Sequence, residues 1–245
     1  MKKIYAGTSG FNYKHWHERF YPKDFPVARQ LEFYTEHYNS VEINSSFYHL
    51  PKESTFLSWK NRTPDHFRFA IKGSRYITQF LALKNAWEAV ENFFSQSKAL
   101  GLKLEVVLWQ LPAHRAVNVE RLNSFAEVLK NNTEANKTRH AFEFRHPTWF
   151  TEEVYTVLKK YNLGLVIQHS NQWPVVEKVT ANFTYLRFHG APNLYASDYT
   201  DAELQEWAGK IKKLARGKDV FAYFNNDINV YAINNAKKLS EFLEN

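Results

Sequence analysis

The chain has 245 residues, of which 44% are hydrophobic and 23% charged, and it contains no cysteine. This balance is typical of a globular protein with ample core material, which excludes a disordered chain. The absence of cysteine excludes disulfide scaffolds and thiolate zinc sites, and no apolar run is long enough to span a membrane. No apolar run follows the N-terminal lysines as it would in a signal peptide. We expect a cytoplasmic protein with a single domain over residues 1–245.

The chain is basic and rich in aromatic residues. Its 32 Lys and Arg residues exceed its 25 Asp and Glu residues, giving a formal net charge of +7, and 17% of the residues are aromatic. A basic surface favours anionic partners such as phosphates or nucleic acid, although net charge concerns association and not chemistry. A basic surface around a bulky core is an equally good interpretation.

Short β-branched or aromatic segments alternate with longer amphipathic segments. The predicted strands begin near Lys3, Ser40, Phe67, Leu104, Arg139, Gly164, Phe183 and Asp219. Helices are predicted over 85–99, over 119–130, from Thr200, where Glu203 completes a capping box, and after Asp227. The apolar stripe predicted for 85–99 consists of Trp87, Val90, Phe94 and Ser97.

Eight strands that alternate with helices predict an α/β protein with a TIM-barrel-like (β/α)8 fold. A doubly wound open sheet alternates in the same way, but no G-x-G-x-x-G or Walker-type loop follows any strand. Only nineteen residues separate the start of the sixth strand from that of the seventh. We therefore expect an irregular sixth unit, with a turn or a distorted helix around 171–179.

Charged residues alternate with apolar ones in four predicted strands: they are Glu42, Lys72, Glu143 and Arg187. Strand side chains point alternately to the two faces of a sheet, and the face against the outer helices of a barrel must be apolar. The charged side chains are therefore predicted to point toward the barrel axis. Because a buried charge is costly unless paired, one interpretation is an ion-pair layer of both glutamates with Arg68 and Arg187. The other is a ligand site.

Polar residues also lie where the strands end, at the mouth where barrel enzymes keep their active sites. The catalytic candidates supply carboxylates for acid–base chemistry and cations that stabilise negative charge: Glu42, Glu143, Lys72 and His189. The substrate-binding candidates are the other polar side chains near strand ends: Thr8, Ser9, Tyr13, Asn44, Gln110, Arg145, His146, Arg187, Asn225, Asn226 and Asp227.

Positive charge is expected to prevail at this mouth. Two inward glutamates oppose four basic side chains, which are Lys72, Arg145, Arg187 and His189. The last predicted helix also begins near Asn226 and Asp227, and free N–H groups at a helix start favour anions. We therefore expect an anionic group, phosphate above all, to bind there. Asp227 has an equally good interpretation as the N-cap of that helix.

A metal site is the weaker alternative. A set of residues loosely resembles the ligands of metal-dependent hydrolase barrels: His15, His17, His146, His169 and Asp227. The His-x-His pair, however, comes well after the strand end, and no H-E-x-x-H motif occurs. Nucleophilic serine chemistry is also disfavoured, because no G-x-S-x-G elbow surrounds Ser9. The expected site uses no metal and no other cofactor.

Six segments, in order along the chain, resemble the YecE-like family, also called domain of unknown function 72. They are GTSGFNYKHW from Gly7, NSVEINSSFY from Asn39, WQLP from Trp109, FEFRHPTW from Phe142, LRFHG from Leu186 and FNND from Phe224. The resemblance covers nearly the whole chain and implies a TIM-barrel-like fold, with the activity left open. Gln79 stands where the family commonly has histidine, so no proton transfer is expected at that position. Ala113 replaces a usual proline.

Three functions stay open. The first is an enzyme with a cation-rich pocket that acts on a small anionic, phosphate-bearing compound. The second is a nucleic-acid-binding or phosphodiesterase-like barrel, with phosphate contacts from Lys14, Arg19, Lys23, Arg29, Arg75 and Arg115 and base stacking on Trp16, Tyr48, Trp149 and Trp173. The third is a non-catalytic ligand-binding barrel. We expect a monomer with no membrane contact in each case.

Overall fold

Eight parallel strands form one sheet in the computed structural model, which describes residues 3–244. Neighbouring strands follow the order β1-β8-β7-β6-β5-β4-β3-β2. The strands are β1 (Ile4–Thr8), β2 (Ser40–Ile43), β3 (Arg68–Lys72), β4 (Leu104–Gln110), β5 (Arg139–Glu143), β6 (Gly164–Ser170), β7 (Phe183–Gly190) and β8 (Asp219–Phe224). Each begins at, or next to, the residue predicted from the sequence. The TIM-barrel-like α/β fold is confirmed.

Helices alternate with these strands. The α-helices are α1 (Gln30–Thr35), α2 (Ser45–Tyr48), α3 (Glu53–Asn61), α4 (Trp87–Ser97), α5 (Val119–Asn131), α6 (Glu152–Lys160), α7 (Asp201–Ala215) and α8 (Tyr231–Glu244). Shorter 3-10 turns lie at Lys14–Trp16, Val27–Arg29, Lys98–Lys103, Ala135–Lys137 and Pro147–Trp149, and a π-helical turn lies at Tyr76–Phe80. The segment 171–182 between β6 and β7, all of it described, contains no helix. Within 3–244, no helix combines the length and apolar character needed to cross a bilayer.

Two helix predictions can be compared residue by residue. The capping box of α7 is confirmed, because the Thr200 side chain accepts from the Glu203 N–H while the Glu203 carboxylate accepts from the Thr200 N–H. The stripe predicted for α4 is confirmed at Val90, Phe94 and Ser97, which are buried, but Trp87 is 46% exposed. Trp87 is the first residue of α4 and so lies at the end of the helix, and Phe93 is buried in its place.

Between β1 and β2 the barrel is closed mainly by side-chain hydrogen bonds, and the described residues form no regular backbone hydrogen-bond ladder there. The two strands share a single backbone bridge, between Ser9 and Glu42. Below it, Asn39 spans the gap, because its Nδ2 donates to the Ile4 carbonyl (2.7 Å) and its Oδ1 accepts from the Ala6 N–H (3.2 Å). One amide side chain thus replaces a pair of strand-to-strand hydrogen bonds.

A tyrosine hydroxyl completes this seam. Tyr34 from α1 accepts from the Thr8 N–H (2.9 Å) and donates to the Ser40 carbonyl (3.1 Å). Gly7 lies between them, and a Cβ there would stand 2.1 Å from the Ser40 carbonyl oxygen. The close approach of β1 to β2 therefore requires glycine at this position.

The amino-terminal end of the barrel is closed by ion pairs. Glu105 accepts from Arg68 (3.0 Å) and Arg139 (2.7 Å), and Arg139 also contacts Asp219 (2.8 Å). Arg68 is the first residue of β3, so it lies at the opposite end of the strand from the mouth. The expectation that Arg68 pairs with the inward glutamates is therefore wrong. Aromatic rings fill the interior above this network, among them Tyr5, Phe183, Tyr185, Phe221 and Tyr223.

Candidate active site at the mouth of the barrel

A buried ion-pair layer crosses the barrel below its mouth. The Arg187 guanidinium on β7 donates from Nε (3.0 Å) and Nη2 (2.7 Å) to the two oxygens of Glu42 on β2. Its Nη1 donates to Glu143 Oε2 on β5 at 2.5 Å. All three side chains are buried and meet across the barrel axis, as the alternation along their strands predicts. They realise the ion-pair layer that the sequence left as one of two interpretations.

The Glu42 carboxylate has no free hydrogen-bonding position toward the mouth. Besides Arg187, it accepts from the hydroxyls of Ser9 and Tyr185, each at 2.7 Å. Burial by itself would raise the pKa of Glu42, but the charge and hydrogen bonds of Arg187 lower it below its ordinary value. Glu42 is therefore an ionised group with four donors, and a general acid–base role finds no support in its contacts.

Glu143 lies between two arginines. Its Oε1 accepts from Arg145 Nε at 2.7 Å, opposite the bond from Arg187 to Oε2. Burial would raise the pKa of Glu143, yet the charges of Arg187 and Arg145 hold it well below the ordinary value. Arg145 is also fixed by stacking, because its guanidinium lies 3.6 Å from the ring centroid of Trp173. The contacts of Glu143 therefore favour a role in orienting Arg145 over a role in proton transfer.

His189 does not supply the positive charge expected of it. The imidazole is buried, and burial lowers its pKa to about 4, so the ring is neutral at pH 7. Its Nδ1 lies 3.3 Å from the Asn225 Nδ2, which makes Nδ1 the acceptor and Nε2 the protonated nitrogen. Nε2 stands 3.6 Å from Glu143, beyond hydrogen-bond distance. His189 lies under the mouth as a neutral group.

Lys72 is the last residue of β3 and lies beside the ion-pair layer. Its side chain is buried but has no polar partner among residues 3–244. Its Nζ lies 4.1 Å from the ring centroid of Phe47, and the described residues give it neither a hydrogen bond nor an ion pair. Burial, followed by the positive charge of Arg187, lowers the pKa of Lys72 to about 7. At neutral pH the amine therefore exists in both protonation states in comparable amounts.

A cavity of about 630 Å³ opens above this layer. Eight of the predicted site residues line it: Tyr13, Asn44, Lys72, Gln110, Arg145, Arg187, Asn225 and Asp227. The walls also include His15, Phe47, Tyr48, Gln79, Pro112, Ala113, Tyr195 and Ile228. The cavity is thus polar at its base and partly apolar on its walls, as sites for small molecules are.

Charge balance at the cavity differs from the expected four cations against two glutamates. The two glutamates are balanced by Arg187 and Arg145, and His189 is neutral. The remaining positive charge is that of Lys72, fractional at neutral pH. The field at the mouth is therefore weaker than expected, because Lys72 supplies only a fractional positive charge and the Asp227 carboxylate on the cavity wall opposes it.

Comparisons with known proteins agree with this fold. The model of the family described as "Protein of unknown function DUF72" matches residues 5–245. The chain belongs to the DUF72 family. UPF0759 protein YunF of Bacillus subtilis (strain 168) is 25% identical over 98% of this chain and 95% of its own length. UPF0759 protein YecE of Escherichia coli O157:H7 is 32% identical over 58% of this chain and 50% of its own length, which confirms the YecE-like resemblance.

Solved structures give the same fold. A DUF72 family protein from Thermotoga maritima MSB8 superposes with a TM-score of 0.88 at 27% identity, covering 99% of this chain and all of that one. A crystal structure of D-psicose 3-epimerase has a TM-score of 0.55 at 9% identity, covering 89% of this chain and 93% of that one. The second likeness concerns the fold alone.

Four predicted substrate contacts of this DUF72 protein do not line the cavity: Thr8, Ser9, His146 and Asn226. Thr8 faces α1, where its hydroxyl donates to the Gly10 carbonyl and contacts Tyr34. The Ser9 hydroxyl is used by Glu42, beneath the cavity floor. His146 caps the 3-10 turn at Pro147–Trp149 through Thr148. Strand alternation explains Thr8, and local turn chemistry explains His146.

The predicted start of the last helix at Asn226 and Asp227 is wrong, so the helix terminus that was expected to favour an anion is not there. α8 begins at Tyr231, so Asn226 and Asp227 lie before the helix and neither caps it. Asn226 is buried and donates to the Ser197 carbonyl and the side chain of Asn235. Asp227 does line the cavity, but its carboxylate accepts from Trp16 Nε1 (2.9 Å) and contacts His15 Nε2 (2.8 Å).

The alternative sites are also changed by the fold. Within 3–244, no three His, Asp or Glu side chains come together as metal ligands. Of the aromatic residues expected to stack on bases, Trp16 and Trp149 are buried, and Trp173 stacks on Arg145. Tyr48 is 59% exposed at the rim.

Sequence reasoning missed several cavity residues that follow the strands. Phe47 lies in α2 just after β2, beside Tyr48, which was expected only as a base-stacking residue; an aromatic pair beside polar strand-end residues was a usable signal. Tyr195 and Ile228 come from the loops after β7 and β8, and no periodicity marks such positions. Ala113 and Gln79 also line the cavity, so both departures from the family pattern fall at the candidate site.

Proposed function

We propose that this protein is an enzyme whose active site is the mouth cavity and whose substrate is a small molecule with an anionic group. One observation carries the proposal: two basic side chains reach the same cavity with donors that no described residue uses. They are the amine of Lys72 and the terminal nitrogens of Arg145, whose Nε alone is hydrogen-bonded. Unused charged donors in a concave site favour an anionic ligand.

The anion would meet a prearranged site. Arg145 is held by Glu143 on one edge and by Trp173 on its face, so little side-chain entropy would be lost on binding. A bidentate contact from its Nη1 and Nη2 suits a phosphate or a carboxylate. Binding beside Lys72 would also favour the charged form of that amine, because an opposite charge nearby stabilises it.

Lys72 is the group that we assign to proton transfer. General acid–base catalysis works best when the pKa of the group lies near the working pH, and burial brings the pKa of Lys72 to about 7. Glu42 and Glu143 would keep the ion-pair layer in place instead, since Arg187 and their other donors occupy both carboxylates. The carboxylates would thus act on the substrate through Arg145 and Arg187.

Titration calorimetry with sulfate tests the anion site. We expect wild type to bind sulfate, and Lys72→Met and Arg145→Met each to weaken binding roughly tenfold to a hundredfold, as expected for one lost charged hydrogen bond. Lys213→Met, which removes an exposed lysine on α7, serves as the control and should bind like wild type. Equal binding by all four folded proteins, or no binding by wild type, would overturn the proposal.

A nucleic-acid partner would give a different result in the same experiment. Short oligonucleotides would bind with an affinity that falls steeply with salt, because several phosphates release counterions at once. A single small-anion site has a shallow salt dependence. A steep dependence that survives Lys72→Met would assign binding to the outer surface and leave the cavity without a nucleic-acid role.

A further inference from the structure

The two most buried lysines of residues 3–244 provide a contrast. Lys103 is 7% exposed and Lys72 is 9% exposed. Lys103 Nζ donates to the carbonyls of Lys60 (2.7 Å) and Thr63 (2.6 Å) and to the Thr63 hydroxyl (3.2 Å), so its three N–H groups are all used. Lys72 Nζ has none of these partners and opens into the cavity. Lys103 is structural, whereas Lys72 keeps an amine available for chemistry.

We propose that Lys72 is a nucleophile, and that its amine condenses with the carbonyl carbon of an aldehyde or ketone whose anionic group is held by Arg145. This inference rests on the proposed anion site and names the reactive part of the substrate; in it, the Lys72 lone pair attacks carbon instead of accepting a proton. A lysine at the carboxyl end of a barrel strand, desolvated and close to other cations, is activated in the way that covalent lysine catalysis requires. The Phe47 ring below Nζ excludes water from one side.

Every charged element around Lys72 acts on the reactivity of the amine. Arg187 on β7 and Arg145 after β5 disfavour the ammonium form, whereas Glu143 and Glu42 favour it. Burial is the largest influence, and together these groups bring the pKa to about 7. About half of the Lys72 amines are then neutral at pH 7, compared with roughly one in several thousand for a lysine in water. The neutral nitrogen carries the lone pair that attacks.

The step balances without any other reactant than solvent protons. The nitrogen lone pair forms a C–N bond, and the carbonyl π electrons move to oxygen, which takes a proton and gives a carbinolamine. The C–O bond then breaks, a second proton lets the oxygen leave as water, and the nitrogen loses one proton to give the iminium. The net reaction is amine plus carbonyl plus one proton to iminium plus water. The positive iminium would lie among the same two glutamates that now face Lys72.

Borohydride trapping with pyridoxal 5′-phosphate, an aldehyde with a phosphate group, tests this step. We expect about one label per chain, which peptide mass mapping places on Lys72 at least tenfold faster than on any exposed lysine. Lys72→Arg, which keeps a positive charge, should lose this label, while the exposed-residue control Lys213→Arg should keep it. The labelling rate should rise with pH around 7 and level off above it.

Labelling with a second aldehyde, compared with sulfate binding, distinguishes a failure of this inference from a failure of the proposed function. Arg145→Met should slow labelling by pyridoxal 5′-phosphate about tenfold more than labelling by pyridoxal, which lacks phosphate and slows only because the loss of a positive neighbour raises the pKa of Lys72. If sulfate binds in a Lys72-dependent way but Lys72 is labelled no faster than exposed lysines, the nucleophile is refuted and the anion site stands. If pyridoxal labels Lys72 quickly but sulfate does not bind, the anion site is refuted. If Lys72→Arg unfolds, protection of Lys72 from labelling by sulfate in wild type decides the matter.

Discussion

Lys72 shows how burial changes one residue. Nothing in its sequence context distinguishes it from the other lysines except its place between Ile71 and Gly73 at the end of a strand. In the folded chain it is 9% exposed and lies near Arg187, so the charged form loses hydration and meets a like charge. Burial of Lys72 lowers the free energy of unfolding, because the unfolded lysine binds a proton that the folded lysine binds only weakly.

This loss of stability predicts that the effect of Lys72→Met on the free energy of unfolding depends on pH. Between about pH 7 and pH 10.5 the unfolded lysine is protonated and the folded lysine is largely neutral, so the stability of wild type rises with pH. Methionine has no proton to bind. The stability gained by Lys72→Met should therefore be largest at pH 7 and shrink by about 1.4 kcal/mol per pH unit toward pH 10. Urea unfolding at several pH values measures it, and an offset independent of pH would contradict the depressed pKa.

The close contact between strands β1 and β2 depends on a glycine. Gly7 lets the backbone of β1 lie against the Ser40 carbonyl, and Asn39 and Tyr34 supply the hydrogen bonds that a regular ladder would make. These side chains lie directly below the bridge that aligns Ser9 with Glu42. The seam therefore positions the ion-pair layer as well as closing the barrel.

Gly7→Ala should open this seam. The new Cβ would stand 2.1 Å from a backbone oxygen and 2.8 Å from the Tyr34 hydroxyl, so the strands must separate. We expect a loss of about 3 kcal/mol or more, at the upper end of overpacking effects. Gly209→Ala on α7 is the matched control, because its Cβ meets nothing within 4 Å, and it should stabilise the helix by up to about 1 kcal/mol. Thermal unfolding compares the two, and similar midpoints would refute the role of the seam.

Charged side chains inside the barrel lie at two levels along its axis. Arg68, Glu105, Arg139 and Asp219 close the amino-terminal end, and the glutamates with Arg187 form the upper layer. The upper layer is fully buried, so each charge depends on its partners more than on solvent. Removing its central cation leaves two carboxylates facing one another in the interior.

Arg187→Met should therefore destabilise the protein by about 3–5 kcal/mol at neutral pH. In wild type, Arg187 keeps the pKa of both carboxyls low, so their contribution to stability is present above about pH 4.5. Without it, burial raises the pKa of Glu42 most, because Glu143 keeps Arg145 as a partner, and the folded variant gains stability as Glu42 protonates. The loss should thus be smaller at pH 5 than at pH 8 in urea unfolding.

Arg62→Met provides the comparison for this change. Arg62 pairs with Glu32 at 2.6 Å, but both side chains are at least one-third exposed. Its loss should cost no more than about 1 kcal/mol and should change little with pH. If Arg187→Met behaved like Arg62→Met, the buried layer would contribute no more than a surface pair.

The sequence by itself determined the features that depend on near neighbours in the chain. Two-residue alternation located the strands and pointed Glu42, Glu143 and Arg187 inward, because side chains of an extended strand alternate whatever surrounds them. The Thr200 capping box is equally local. These rules set the fold class and the end of the barrel at which the candidate site lies.

Only the tertiary structure decided which charges are paired and which are free. Arg68 and Arg187 both alternate with apolar residues, yet one lies at the bottom of the barrel and the other in the upper layer. His189 is neutral and Lys72 is without a polar partner because of groups on other strands, far away in the chain. Protonation and pairing depend on distances across the barrel and on exclusion of water, and neither is encoded in local periodicity.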